Sequence, residues 1–296
     1  MGAESPVIRN ISDTARWVAI YRAMETERPD AHFHDPYARM LAGEKGEEIF
    51  RRMPRARLSA WPLVVRTCVF DELILRAVER EGADTVLNLA SGLDTRPYRL
   101  PLPAELRWIE ADLPEILAYK DEKLASETPR CLRESVMMDL GDVPARRGLF
   151  ERVAASSKKT VIVTEGFLAY LTEGEVASLA VDLCRPSFRW WILDLASPLL
   201  MKRMQKIFGK TLAQGDARMQ FAPAEGTEFF RKLGWAEVEF RSVWEEAHRL
   251  RREMPFAWLW RLVVRLSPAS RREAFRRMGA TVLLERVPGR EPASGP

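Results

Sequence analysis

The sequence predicts an α/β fold, a mostly parallel β-sheet covered by helices on both faces. Two observations predict it. From Asp84 onward, short apolar runs of strand length alternate with segments of helical periodicity. Those runs are apolar almost throughout, as strands buried on both faces are. Ligands in such sheets sit at the carboxyl ends of the strands, near the switch point of the topology. The chemistry is therefore sought just after Ala90, Ala111, Met138 and Thr164.

Taken in order, residues 10–80 read as helix-rich. Ser12 and Asp13 are placed to cap a helix that runs through Ala15, Val18, Ala19 and Ala23. Pro29, Pro36, Pro54 and Pro62 punctuate the region and argue against any long helix there. A cleaner helix follows over 67–81, with Phe70, Leu73, Ile74, Ala77 and Val78 on one face and Gly82 as its stop. Strands are expected at 85–90, 106–111, 135–138, 160–164 and 188–195. Between them lie helices at 114–126, with Pro114 in the first turn, and at 173–183. A helix over 225–233 closed by Gly234 precedes two last strands, 236–243 and 281–285.

The composition excludes several classes. At 47% hydrophobic and 30% charged, the chain of 296 residues buries a sizeable core and is not disordered. A net charge of +4 from 46 basic and 42 acidic residues permits an anionic ligand but is not the signature of a nucleic-acid binder. Cys68, Cys131 and Cys184 are odd in number and far apart, so they read as buried free thiols. No apolar run is long enough to span a membrane, and residues 1–10 carry no leader-like apolar stretch, so a cytoplasmic protein is expected.

Four positions carry the candidate chemistry. The first strand ends in Ala90-Ser91-Gly92-Leu93-Asp94-Thr95-Arg96, a small-residue turn that lets backbone approach a ligand. Asp112 follows Gly92 by 20 positions and closes the second strand, where an acid accepts hydrogen bonds from ribose hydroxyls. Asp139 and Leu140 follow the third strand, suited to an adenine amine and an adenine face; a turn aspartate is the equal alternative. Glu165 and Gly166 follow the strongest strand, and a glutamate there must be solvated, paired or ligand-bound.

Together the segments VLNLASGLDTRPYRL, WIEADLP, MMDL and TEGFLAYL resemble the leucine carboxyl methyltransferase family, a branch of the class I S-adenosylmethionine-dependent methyltransferases. The upstream DTARWVAIYRAMETERPDAHFHDPYARMLAG and RTCVFDELIL resemble its bacterial members. The resemblance implies a Rossmann-like core, a seven-stranded mostly parallel sheet with a helical cap, and S-adenosyl-L-methionine across its carboxyl edge. It also implies roles. Arg66 pairs with the cofactor's methionine carboxylate, Ala90 and Gly92 pass its methionine part, and Glu165 faces its amine. Asp112 takes the ribose hydroxyls, Asp139 and Leu140 frame the adenine, and Leu113 and Gly166 complete the cofactor-binding set. Ala90-Ser91 stands where the family has Gly-Ala, and an alanine sits there without strain only if its φ is negative.

On this basis the expected activity is O-methylation of a carboxyl or hydroxyl oxygen of a small molecule, by in-line displacement at the methyl carbon, in a monomer or homodimer with no metal and no nucleic-acid partner. The alternatives are a protein C-terminal carboxyl methyltransferase and a non-catalytic cofactor-binding relative. A carboxylate acceptor is ionised at neutral pH and needs no base; for a hydroxyl, His34, Tyr21 and Tyr170 are the weak candidates. The expected organisation is a helical cap (1–65), a cofactor-binding core (66–196), a lid insertion (197–222), completion of the sheet (223–288) and a disordered tail (289–296). The methionine-rich insertion reads first as a lid helix over the core and second as a substrate wall. The apolar stretch 255–266 reads first as a buried helix or dimer contact and second as a membrane-surface or lipophilic-ligand element. The arginines at 249–252, 271–272 and 276–277 read as solvated helix faces.

Overall fold

The computed structural model describes residues 8, 10, 12–54, 56–213, 215 and 217–288; the expected tail lies outside them. Seven strands, β1 (Thr85–Leu89), β2 (Arg107–Asp112), β3 (Leu132–Met137), β4 (Thr160–Thr164), β5 (Phe188–Ala196), β6 (Trp235–Ser242) and β7 (Gly279–Arg286), form one sheet in the order β3-β2-β1-β4-β5-β7-β6. Strands β1 to β5 pair in parallel, and β7 inserts antiparallel between β5 and β6. The chain winds outward from β1 towards β3, then returns to β4 on the other side. The crevice at the carboxyl ends of β1 and β4 is therefore the switch point.

Every position of β1 and β4 is buried. Alternate residues feed opposite layers, as the two-residue period requires. Val86, Trp108, Val161, Val163 and Ile192 join one layer with Phe70, Leu73 and Ile74. Leu87, Ile109, Ile162, Trp191 and Leu193 join the other with Phe150, Leu179 and Trp235.

The helices in chain order are α1 (Ser12–Thr26), α2 (Ala38–Arg52), α3 (Ala60–Glu79), α4 (Arg96–Arg99), α5 (Pro114–Lys123), α6 (Val143–Ser156), α7 (Glu173–Asp182), α8 (Pro198–Ala213), α9 (Glu228–Arg231), α10 (Val243–Arg249), α11 (Ala257–Arg265) and α12 (Ala269–Arg276). A third apolar cluster ties α1, α2 and α8 together through Trp17, Tyr21, Ile49, Phe208 and Leu212, and roofs the crevice. No helix among the described residues is long and apolar enough to cross a membrane.

The structure corrects six expectations. The start of α1 is capped by Asn10, whose Oδ1 accepts from the Asp13 N–H at 3.1 Å, while Ser12 is already helical. Helix α3 begins at Ala60, well before Thr67, because Pro62 falls in its first turn, where no helical N–H is lost. Of the expected helix 225–233 only α9 forms, since Gly226 takes a positive φ of 61°. The stretch 255–266 is not buried: only Ala257 is, and α11 stands on the surface. Arg252 is not solvated. It is buried against Glu25 at 2.9 Å, tying the end of α10 to α1. Strand β3 also starts earlier than the weak run 135–138 suggests, because an edge strand with Leu132 and Met137 exposed carries no continuous apolar signature.

One buried cation fixes the turn after β1. Lys120 on α5 is fully buried, lies 2.7 Å from the equally buried Glu110 of β2, and donates to the Asp94 carbonyl at 3.0 Å. Removing one partner of such a pair strands the other charge. Lys120→Met is expected to lower unfolding free energy by about 3 kcal/mol, and Lys120→Met with Glu110→Gln to recover most of it, both read from urea midpoints.

Candidate functional site

A cavity of about 910 Å³ opens over the carboxyl ends of β1 and β4. All nine residues expected to bind a cofactor line it: Arg66, Ala90, Gly92, Asp112, Leu113, Asp139, Leu140, Glu165 and Gly166.

The turn after β1 and the acid after β2 form one unit. The Ala90 N–H extends the ladder to Ala111 O at 2.8 Å. The chain then reverses with Ala90 at φ 53° and Gly92 at φ 50°. This is the left-handed region, so Ala90 is strained where a negative φ is required for comfort. Gly92 has a second reason to lack a side chain: a Cβ there would lie 3.1 Å from the Ala15 Cβ of α1. Its N–H donates to Asp112 Oδ2 at 2.6 Å, and the Leu113 N–H donates to Oδ1 at 2.7 Å. Burial pushes the Asp112 carboxyl up, against the two N–H donors that favour its anion. Ser91 Oγ is buried in the cavity wall and has no hydrogen-bond partner among the described residues.

Asp139 is exposed, and its Oδ1 accepts from the Gly141 N–H at 2.8 Å, so it does close a turn while lining the cavity. Leu140 is buried beside it. At the end of β4, Glu165 accepts from Arg66 Nε at 3.0 Å and lies 2.7 Å from Arg96 Nη1. Burial alone would raise its pKa; Arg96 and Arg66 outweigh burial and hold it below the usual carboxylate range. Gly166 has φ 69°, and a Cβ on it would meet Arg66 Nη1 at 3.1 Å.

Reading from the residues alone misses Asp194, Arg96, Asp94, Asp71 and Asn88. Asp194, at the carboxyl end of β5, accepts from the Gly166 N–H at 2.6 Å and from Arg66 Nη1 at 3.3 Å. Arg96 donates to Asp71 at 2.6 Å and to Asp94 at 2.8 Å. Asn88 also donates to Asp94, at 2.8 Å. Arg99 completes the set with Asp71 at 2.7 Å. Asp94 is pulled from the raised pKa that burial favours to well below the ordinary range by Arg96 and Lys120. Four carboxylates, Asp71, Asp94, Glu165 and Asp194, thus face three guanidiniums, Arg66, Arg96 and Arg99, leaving one negative charge in surplus. Among the described residues no bond occupies Arg66 Nη2. The missed signals were an acid closing the fifth apolar run, and Asp94 and Arg96 inside the turn already singled out.

The rest of the cavity is mostly apolar, with Arg146, Glu175, Ser178 and Arg203 among its lining. Trp17, Trp61, Met204, Phe208, Met219 and Trp244 line it, so α8 supplies cavity wall as well as roof. Of the three candidate bases only Tyr170 reaches the cavity. Burial pushes its phenol up, opposed by a hydrogen bond with Thr14. Tyr21 lies outside the cavity, accepting from Trp17 Nε1 at 2.8 Å and donating to Ala56 O at 2.9 Å, and burial raises its pKa strongly. His34 is exposed and also outside it. Neither can take a proton from a molecule in the cavity.

The family model described as leucine carboxyl methyltransferase matches residues 15–183. A Parafrankia protein provisionally named as an S-adenosyl-L-methionine-dependent methyltransferase is 38% identical over 187 residues, 60% of this chain and 60% of its own length. A Mycobacteroides abscessus protein with the same provisional name is 32% identical over 238 residues, 76% of this chain and 75% of its own. Among solved structures, a Streptomyces avermitilis protein of the DUF574 family superposes with a TM-score of 0.60 at 12% identity, covering 93% of this chain and 97% of that one. A likeness at that identity speaks for the fold alone.

Two outcomes are expected. Ala90→Gly relieves a left-handed alanine, which outweighs the added freedom of glycine in the unfolded chain, and should raise stability by about 0.5–1 kcal/mol at the urea midpoint. Glu165 has a folded pKa below its unfolded value, so its contribution is present above about pH 4 and lost as pH falls further. The gap in melting temperature between wild type and Glu165→Gln should accordingly be widest near neutrality and close below that pH.

Proposed function

Because the chain belongs to the leucine carboxyl methyltransferase family, a branch of the class I S-adenosylmethionine-dependent methyltransferases, we propose that it methylates an oxygen of a small, lipophilic carboxylic acid. The observation that carries the reading is the pairing, across one cavity, of the Gly92–Asp112 unit with the Arg66–Glu165–Asp194 cluster.

The residues present fit S-adenosylmethionine. Asp112 offers carboxylate lone pairs to vicinal hydroxyls, and Ser91 Oγ, with no partner among the described residues, offers a further polar contact. Asp139 and Leu140 suit the adenine, Ala90 and Gly92 the methionine stem, Arg66 Nη2 a carboxylate, and Glu165 an ammonium. The surplus negative charge favours a ligand of net positive charge, and S-adenosylmethionine is one. When bound, it supplies a methyl group activated by the sulfonium. What remains for the protein is to hold the acceptor oxygen in line and keep water out.

The acceptor side supports a carboxylate over a hydroxyl. A hydroxyl benefits from a base; among the described residues the Tyr170 phenol is pushed up, Glu165 and Asp194 are held by guanidiniums, and Asp112, Asp139 and Glu175 each accept from backbone N–H groups. A carboxylate is already ionised. The aromatic and methionine walls exclude water and match an apolar body. Division into a cap (1–65), cofactor core (66–196), lid (197–222) and sheet completion (223–288) accords with this reading, the cap and α8 closing over the acceptor. That enclosure favours a small molecule over a protein terminus.

Calorimetric titration tests it. Wild type should bind S-adenosylmethionine in the micromolar range and Asp112→Ala should not. Asp194→Asn should weaken S-adenosylmethionine about tenfold while leaving S-adenosylhomocysteine, a zwitterion of no net charge that lacks the sulfonium, less changed. A folded wild type that binds neither sinks the proposal; binding without transfer of labelled methyl to any lipophilic acid leaves a cofactor-binding relative.

A further inference from the structure

Helix α11 wears its apolar face outward. At 100° per residue, Leu259, Leu262, Val263 and Leu266 share one side, flanked by Trp258 and Trp260, and that side lies opposite Ala257, the one buried residue of the helix. Trp258 is 58% exposed, Leu262 50% and Leu266 77%. Phe256, at 70%, extends the patch. Nothing among the described residues covers it, and a patch of this kind on one short helix marks an interaction surface.

The charge around it says what covers it. Residues 255–277 hold six arginines and a single acid, Glu273. Arg276 and Arg277 pair with Glu273, and Arg261 with Glu253. Arg265, Arg271 and Arg272 have no carboxylate partner among the described residues; Arg272 reaches only backbone oxygens, at 3.4 Å. A two-fold contact between copies would lay this cationic patch on itself. A nucleic acid would leave the aliphatic face without bases to stack on, since stacking needs flat rings. An anionic bilayer satisfies both parts: the aliphatic face enters the headgroup boundary, tryptophans sit at its level, and arginines meet the lipid phosphates.

We propose that the α11–α12 hairpin docks this protein on anionic membrane surfaces. The hairpin adjoins the cavity wall, since Phe275 of α12 packs on Trp244 at 4.6 Å and Trp244 on Trp61 at 5.0 Å, both tryptophans lining the cavity. A docked hairpin therefore sets the apolar end of the cavity beside the bilayer.

Flotation of the full chain, without cofactor or acceptor, tests this separately from the methyl-transfer reading. With vesicles of equal parts phosphatidylglycerol and phosphatidylcholine, wild type should float, and with phosphatidylcholine alone it should float at least tenfold less. Leu262→Asp and, separately, Arg271→Gln with Arg272→Gln should each reduce partition about tenfold. These side chains are exposed, and unchanged circular dichroism and melting temperature verify that the variants fold. Absence of flotation overturns the proposal, as does flotation that neither variant weakens. So does a light-scattering dimer that Leu262→Asp dissociates while vesicles bind nothing; the partner is then a second copy.

Discussion

The buried guanidinium of Arg96 holds the upper face of this molecule together. It reaches Asp71 on α3, Asp94 in the turn after β1 and Glu165 at the end of β4, three elements that share no backbone ladder at that level. Taking one cation out of water costs several kcal/mol, and only well-formed hydrogen bonds to several carboxylates offset it. Arg99 repeats the contact with Asp71, and Arg66 repeats the contact with Glu165. The sheet below is apolar and would tolerate small shifts. A charged cluster of this kind is directional, and it fixes where each loop stands over the crevice.

That rigidity explains how the protein accepts a strained alanine in its ligand-approaching turn. Ala90 is held between the ladder to Ala111 and the bond from Gly92 to Asp112, so its left-handed conformation is imposed from both sides. Behind the turn, Lys120 clamps the Asp94 carbonyl, and Asp35 accepts from Thr95 at 2.7 Å and from Arg22 at 2.8 Å. The same residues thus serve as scaffold and as cavity wall.

How much of this was legible follows from how local each signal is. All seven strands left a trace: burial on both faces writes a continuous apolar run in β1 and β4, whereas the edge strand β3, half-exposed, was legible only over its last residues. The Gly92–Asp112 pair was legible because the fold fixes its spacing. The ion cluster was not: Arg66 finds Glu165 across 99 positions and Asp71 finds Arg96 across 25, and no periodicity announces such partners. Pro62 and Gly226 misled in opposite senses, since each acts through its place in a turn and not through its presence. Helix α11 misled because an apolar run reads as core, whereas here the tertiary fold leaves it without a partner in the chain.

Strands β6 and β7 are antiparallel neighbours, with Ser242 opposite Ala280. Everything between them leaves and re-enters the sheet at one point. The first part of that excursion is fastened, with Ala247 and Leu250 in the core and Arg252 on Glu25. Beyond it α12 is tied back through Phe275 on Trp244 and Arg277 on Glu237, whereas α11 buries only Ala257, so the outer face of α11 is free to drift without moving a single strand register. Such an arrangement is modular: the surface that α11 presents can be rewritten residue by residue, while the charged cluster over the sheet keeps its partners.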